Sequence, residues 1–292
     1  MKSEKHKEKV FYGSDFLNYA FDQTSIKQTL TSISLSRYLM RAIMAGIIVS
    51  FGYLGYILLD SNFGMITEQT PNLSENFFAF GHFFAGWFFG FCLIFIYYAK
   101  AELLTSNMML FSVSMYYKKT KFSYLMKVLG ACYLGNLIGG LFIGALLAPT
   151  SMINGDSVIY LKHVLEVKQG YTTSVSGIYE LFIRAIFCNF FINLSMICVY
   201  SGNIKSDAGK ALAMFGGVFF FMYLGLEHSV ANSVFFAYAG FLQLFQPALD
   251  VGFHFWEATL NVIIVLIGNF IGGGVLIGVY YAFLNDKSKV LK

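Results

Sequence analysis

The chain has 292 residues, of which 57% are hydrophobic, 18% aromatic and 12% charged, with a mean hydropathy of +0.63. Soluble domains carry about twice that share of charge, and a globule of this length cannot hide so much apolar surface, so the composition points to a polytopic membrane protein. The formal net charge of +4 is small and the lysines gather at chain ends and short loops, which excludes the continuous basic face of a nucleic-acid binder.

Residues 1–35 are polar or weakly amphipathic, carrying Lys2, Lys5, Lys7, Lys9 and Lys27. They are not expected to form a cleavable signal peptide, because the long apolar run begins only near Leu39; a cytoplasmic, solvated anchor is expected, the alternative being a segment that gates the inner mouth. Apolar stretches long enough to cross the hydrocarbon core then fall at 38–59, 77–117, 123–148, 177–201, 208–240 and 257–284. The second and fifth are too long for one crossing. Each also contains an ionisable cluster, Lys100-Ala101-Glu102 and Glu227-His228, that a continuous lipid-facing helix would bury unfavourably. Both are predicted to be broken helices whose irregular middles lie inside the protein.

Six crossings put both termini on one side, and 16 of the 20 lysines and arginines lie in the segments on that side, against Lys162 and Lys168 in the opposite loops. The positive-inside rule makes the shared side cytoplasmic. The expected division is a cytoplasmic segment over 1–35, one all-α transmembrane domain over 36–285, and a cytoplasmic tail over 286–292.

An internal repeat runs through this domain. Met40-Arg41-Ala42-Ile43 matches Ile183-Arg184-Ala185-Ile186, Glu102 with Asn107 matches Glu227 with Asn232, and Gly135-Asn136-Leu137-Ile138-Gly139-Gly140 matches Gly268-Asn269-Phe270-Ile271-Gly272-Gly273, in the same order. Each unit, about 36–148 and 177–285, has three crossings, so the two lie upside down relative to one another and bring their broken helices together along a pathway. The Gly-Asn-x-Ile-Gly-Gly segments are expected to serve close helix packing. Glu102 and Glu227 are expected to accept hydrogen bonds from backbone amides freed at the breaks. His228 is the histidine set deepest in an apolar segment, where an ionisable group points to function as a proton donor or anion ligand, the alternative being a buried neutral imidazole bonded to a backbone carbonyl.

Cys92, Cys132, Cys188 and Cys198 lie in apolar runs without paired spacing, so neither a disulfide framework nor a metal site is expected. No nucleophile elbow, zinc-protease helix or phosphate-binding loop occurs in the sequence. Neither an enzyme nor a cofactor is expected.

Ala101-Glu102-Leu103-Leu104-Thr105-Ser106-Asn107, Arg184-Ala185-Ile186-Phe187-Cys188-Asn189 and Gly225-Leu226-Glu227-His228-Ser229-Val230-Ala231-Asn232 together resemble the signatures of the formate/nitrite transporter family, in order and spacing, over about residues 15–285. The resemblance implies an aquaporin-like protomer in a cell membrane, a homopentamer with one pore per protomer, and small monovalent weak-acid anions as solutes: formate foremost, also nitrite, acetate, lactate or hydrosulfide. Carried over by motif, His228 is similar to the central pore histidine, with Glu227 beside it in the proton relay. Thr105 resembles the threonine facing that histidine, and Asn189 the asparagine near the outer vestibule. Phe89 and Leu93 fall on the inner constriction of the family, and Leu104, Ile192 and Phe221 on the outer one. Glu102, Asn107 and Asn232 support the loops. Lys168 stands for the vestibule lysine, several residues upstream of its usual place. Asn193 replaces a common cysteine, Leu104 a common phenylalanine and Ser233 a frequent methionine, which leaves the preferred anion open.

On this reading an anion drawn to Lys168 sheds water at the apolar rings and crosses as the neutral acid, with a proton from His228. A neutral-solute pore of aquaporin type would share the fold, but it would show Asn-Pro-Ala at both breaks, and Pro71, Pro149 and Pro247 lie elsewhere. A non-transporting scaffold would tolerate loss of His228 or Thr105.

Overall fold

The computed structural model describes the backbone of residues 13–69 and 74–286 and the side chains of 13–63 and 80–286; among these residues all regular structure is helical. In chain order the helices are α1 Ser14–Ile33, α2 Leu35–Gln69, α3 Ser74–Tyr98, α4 Leu104–Tyr116, α5 Phe122–Leu147, α6 Asp156–Gly170, α7 Val175–Tyr200, α8 Asp207–Tyr223, α9 Ser229–Phe245 and α10 Phe255–Asn269. The last continues through a π-helical stretch, Phe270–Val279, into α11, Tyr280–Leu284. Within these, Leu35–Phe63, Phe80–Tyr98, Phe122–Leu147, Val175–Tyr200 and Phe255–Leu284 are long and apolar enough to cross a membrane. Only about half of each such window is buried, and the outward faces carry residues such as Phe95, Phe142 and Ile267, as lipid-facing helices require.

The segments at 77–117 and 208–240 are each split in two, α3 from α4 and α8 from α9, as the ionisable clusters predicted. Both upstream helices end the same way. Ala101 N–H donates to Ile96 O and Lys100 N–H to Tyr97 O; in the other break Leu226 N–H donates to Phe221 O and Gly225 N–H to Met222 O. These paired bonds form a Schellman ending, which needs a left-handed residue after the helix. Gly225 supplies it at φ +62°, and Lys100 at φ +55°, where a side chain is disfavoured.

The glycines of the repeat lie at two close helix crossings. A Cβ on Gly139 would stand 2.3 Å from Ile43 O on α2, and one on Gly272 2.0 Å from Ile186 O on α7. A substituent at either place would push the helices apart. Gly272 also lies in the π-helical stretch, where the last long helix is widened as it passes α7 and α4.

Two elements differ from the sequence expectation. The N-terminal segment is docked rather than solvated over α1, which buries Phe16, Leu17, Ala20, Thr24, Lys27 and Thr31. The connection after α5 contains α6, whose Val158, Leu161, Leu165 and Lys168 are buried. That spacing is one helical face, set in a stretch too polar to stand out as a span.

Candidate functional site

The two breaks are held by matching side chains. Asn136, on α5, accepts from Leu104 N–H (3.1 Å) and donates to Ala42 O and Glu102 O (both 2.8 Å). Asn269, at the end of α10, accepts from Ser229 N–H (2.9 Å) and donates to Ala185 O (2.8 Å) and Glu227 O (2.9 Å). Each asparagine thus caps the downstream helix and ties the break to the neighbouring helix, satisfying groups that a helix end leaves open.

The glutamates do a different job from the one expected. Neither carboxylate binds a freed backbone amide. Glu102 Oε2 accepts from Lys27 Nζ and, at 3.0 Å, from Asn107 Nδ2. Glu227 Oε2 accepts from Lys168 Nζ and Asn232 Nδ2, both at 2.6 Å. Lys168 Nζ also donates to Asn232 Oδ1 (3.0 Å), and Asn261 links Asn232 (2.8 Å) back to Lys168 O (2.8 Å). Each break is therefore locked by a buried ion pair, with side chains at most 10% exposed. Burial pulls the Lys168 pKa down, but the Glu227 carboxylate and Tyr53 more than offset this and push it up to about 12, so Lys168 stays charged.

Two cavities of about 330 Å³ each reach the breaks. One, beside α1, is lined by Lys27, Arg41, Lys100, Glu102, Ser106 and Leu93, among others. The other, beside α6, is lined by Lys168, Glu227, His228, Arg184, Phe221 and His82, among others. Phe89 lies one turn before Leu93 on α3 and meets Phe221 edge to face at 6.0 Å, linking the walls of the two cavities. The Phe221 ring in turn stacks on His228 at 5.6 Å.

Thr105 Oγ1 lies 3.0 Å from His228 Nε2. Ala231 N–H donates to His228 Nδ1 at 3.1 Å, so Nδ1 is an acceptor and the neutral ring carries its proton on Nε2. That proton is given to the Thr105 oxygen, which frees the hydroxyl hydrogen for another acceptor. The pair lies where the two halves stop matching: the repeat partner of His228 is Leu103, and that of Thr105 is Val230.

Among the other residues expected at the site, Asn189 does not line the α6-side cavity. It is fully buried, and its amide donates to Asn269 O (2.7 Å) and Thr105 O (3.3 Å). Asn193 donates to the same Thr105 carbonyl at 3.3 Å. Leu104 and Ile192 are buried and line neither cavity. Glu227 turns its carboxylate to Lys168 and Asn232 rather than to the neighbouring imidazole. Sequence reasoning missed Lys27, Asn136 and Asn269 as site residues. The signal for the asparagines was present, as polar residues repeated inside two glycine-rich apolar runs.

Apolar helices long enough to cross a membrane, with two apolar segments broken beside buried ion pairs, define a multi-pass membrane protein. Residues 17–283 match the formate/nitrite transporter family, and the chain belongs to that family. It is similar to the uncharacterized transporter YwcJ of Bacillus subtilis (strain 168), at 30% identity over 260 residues, 89% of this chain and 93% of YwcJ. Among solved structures, an FNT family ion channel aligns with a TM-score of 0.74 at 24% identity, covering 92% of this chain and 98% of the other. A pentameric formate channel with formate bound aligns with a TM-score of 0.67 at 19% identity, covering 86% and 97%.

Proposed function

We propose that the protein carries small monovalent weak-acid anions, formate foremost, across a cell membrane together with a proton handled by His228. The observation that carries this reading is the Thr105–His228 hydrogen bond, 3.0 Å long, between two cavities that each hold a buried lysine–glutamate pair. Stripping a carboxylate of water carries a penalty of several kcal/mol, whereas its neutral acid loses far less. Protonation is therefore the economical way past an apolar ring.

In this account Lys168 draws the anion into the α6-side cavity, and Phe221 with Phe89 and Leu93 excludes water from the path. Leu104 and Ile192 back the Thr105 segment. A proton delivered to Nδ1 of His228 displaces the Ala231 N–H and makes the ring an imidazolium. Its Nε2 proton passes to the Thr105 oxygen as the Thr105 hydroxyl proton passes to the solute: the N–H bond breaks as the new O–H bond forms. The neutral acid then enters the other cavity and ionises in water, and water-mediated exchange returns the ring to its Nε2–H form. With the ring neutral the path behaves as a channel.

The membrane arrangement follows the same reading. The matched Schellman endings, asparagine caps and ion pairs support two three-crossing repeats in opposite orientation, and the distribution of lysine and arginine supports cytoplasmic termini. Family membership and the fold shared with a pentameric channel support a homopentamer.

The test is formate uptake into proteoliposomes by the wild type and by His228→Asn, with internal pH recorded. The reading expects wild-type uptake that acidifies the lumen after correction for acid leak, and loss of both signals in the variant. Equal uptake by the two proteins would overturn it.

A further inference from the structure

The α6-side cavity has a second group of titratable residues that the proposed path does not use. Asp60, on α2, is 1% exposed. Its Oδ2 accepts from the Tyr160 hydroxyl of α6 and lies 3.2 Å from His82 Nδ1 on α3. His82 Nδ1 is also 3.1 Å from the Tyr56 hydroxyl. Asp60 Oδ1 is buried with no hydrogen-bond partner among the described residues. The second ring nitrogen, His82 Nε2, lies 3.2 Å from Tyr223 O.

These contacts limit where the protons can lie: the Tyr56 hydroxyl can donate to Nδ1 when the ring is neutral, whereas a bond from Nδ1 to Asp60 needs a proton on Nδ1. A carbonyl only accepts, so Nε2 carries a proton. Were that the only proton on the ring, the Nδ1 lone pair would face the lone pairs of the Asp60 carboxylate. The 3.2 Å contact is a hydrogen bond only when a further proton lies between Nδ1 and Oδ2. The bond from Nε2 falls at an informative place, because Tyr223 is the last residue of α8, two before the left-handed Gly225 and five before His228.

We propose that Asp60 and His82 are positioning residues that use a bound proton to clamp the end of α8, and through it hold the second break and His228 against Thr105. This inference rests on the reading of His228 as the pore histidine. The clamp is complete while a proton lies between His82 Nδ1 and Asp60 Oδ2 and weakens when that proton is lost. The Tyr56 hydroxyl is then the donor left for Nδ1, and the Asp60 carboxylate, which already has one oxygen unsatisfied, loses its bond to the ring.

The groups around the ring come from every neighbouring element. Tyr56 and Asp60 face it from α2, the Tyr223 ring from α8 at 5.8 Å, and Tyr160 of α6 acts through Asp60. His163 and Lys168 of α6, Arg184 of α7, and Glu227 and His228 of the break share the cavity. Of these, Lys168 is held by Glu227 and Arg184 by Glu180.

Amide hydrogen exchange of the stretch 219–228, in the full-length protein in lipid nanodiscs and corrected for intrinsic rate, tests the proposal. From acid to alkaline pH, wild-type protection is expected to fall severalfold as the proton between His82 and Asp60 is lost. Asp60→Asn supplies an amide that can donate to a neutral Nδ1, so it keeps the acid-side protection and its fall shrinks below about twofold. His82→Gln keeps a donor for Tyr223 O without a titrating ring and is expected to behave likewise, which guards against a folding defect peculiar to the first variant. Wild-type protection that does not change with pH, or the same fall in both variants, would overturn the proposal. Formate plays no part in this readout, so its outcome is separate from that of the uptake experiment.

Discussion

Thr105 and His228 owe their hydrogen bond to the places where the two halves of the chain diverge, and substitution there separates chemistry from scaffolding. Thr105→Val keeps the shape but removes the hydroxyl that takes the Nε2 proton, and formate uptake at acid pH is expected to fall about tenfold or more; the same assay on Thr105→Ser, which keeps the hydroxyl, should show most of it retained. Lys168→Met leaves the Glu227 charge buried without its partner, which is expected to destabilise the fold by about 3 kcal/mol or more. The double change with Glu227→Gln should recover much of that loss, as a thermal unfolding series would show. The Lys168 pKa is raised in the fold to about 12 from 10.5, so its contribution is complete below about pH 10 and is lost as pH rises through the folded value. Any inflection in uptake at lower pH therefore belongs to another group. His228 and Glu227 drew notice because charge interrupts a long apolar run, though the ion-paired role of Glu227 was not foreseen, and Thr105 was reached only through the family motif. Lys27 was not, because it lies in a polar helix where a lysine is unremarkable until its partner Glu102, 75 residues away, is brought beside it. Asp60 and His82 were hidden for the same reason, on two helices 22 residues apart in sequence.

The breaks themselves are built by backbone chemistry, and this gives two further tests. Lys100 holds the left-handed position that Gly225 holds in the other half, so Lys100→Gly is expected to stabilise the protein by about 1 kcal/mol; an unchanged or lowered unfolding temperature would contradict the role given to that turn. Asn136→Ala and Asn269→Ala each leave a buried helix-start amide without its acceptor, and each is expected to destabilise by about 1–3 kcal/mol. The existence of the breaks could be read from length and charge alone. Their construction could not, since Asn136 and Asn269 are embedded in glycine-rich runs whose packing role was the more obvious one, and that packing is also present. Helix α6 escaped notice because its apolar face is only one stripe of a polar segment, long enough to cover a cavity but not to cross a bilayer.

Over the described residues apolar helices surround a buried set of polar side chains, and the composition foretold the apolar helices more readily than the polar interior. Outward-facing phenylalanines and leucines suit either lipid or a neighbouring copy, and nothing in a single sequence distinguishes the two. A pentamer of the 32.8 kDa chain is expected to give a native mass of roughly 160 kDa once detergent is stripped, and a persistent monomer would contradict the proposed assembly. The proposed transport moves a weak-acid anion together with a proton. The measurement that bears on it most directly is the ratio of protons to formate moved in proteoliposomes held at zero membrane potential and acid external pH, with acid leak subtracted. A ratio near one that depends on His228 is expected. Formate flux that carries current, with no proton movement at any pH, would contradict it.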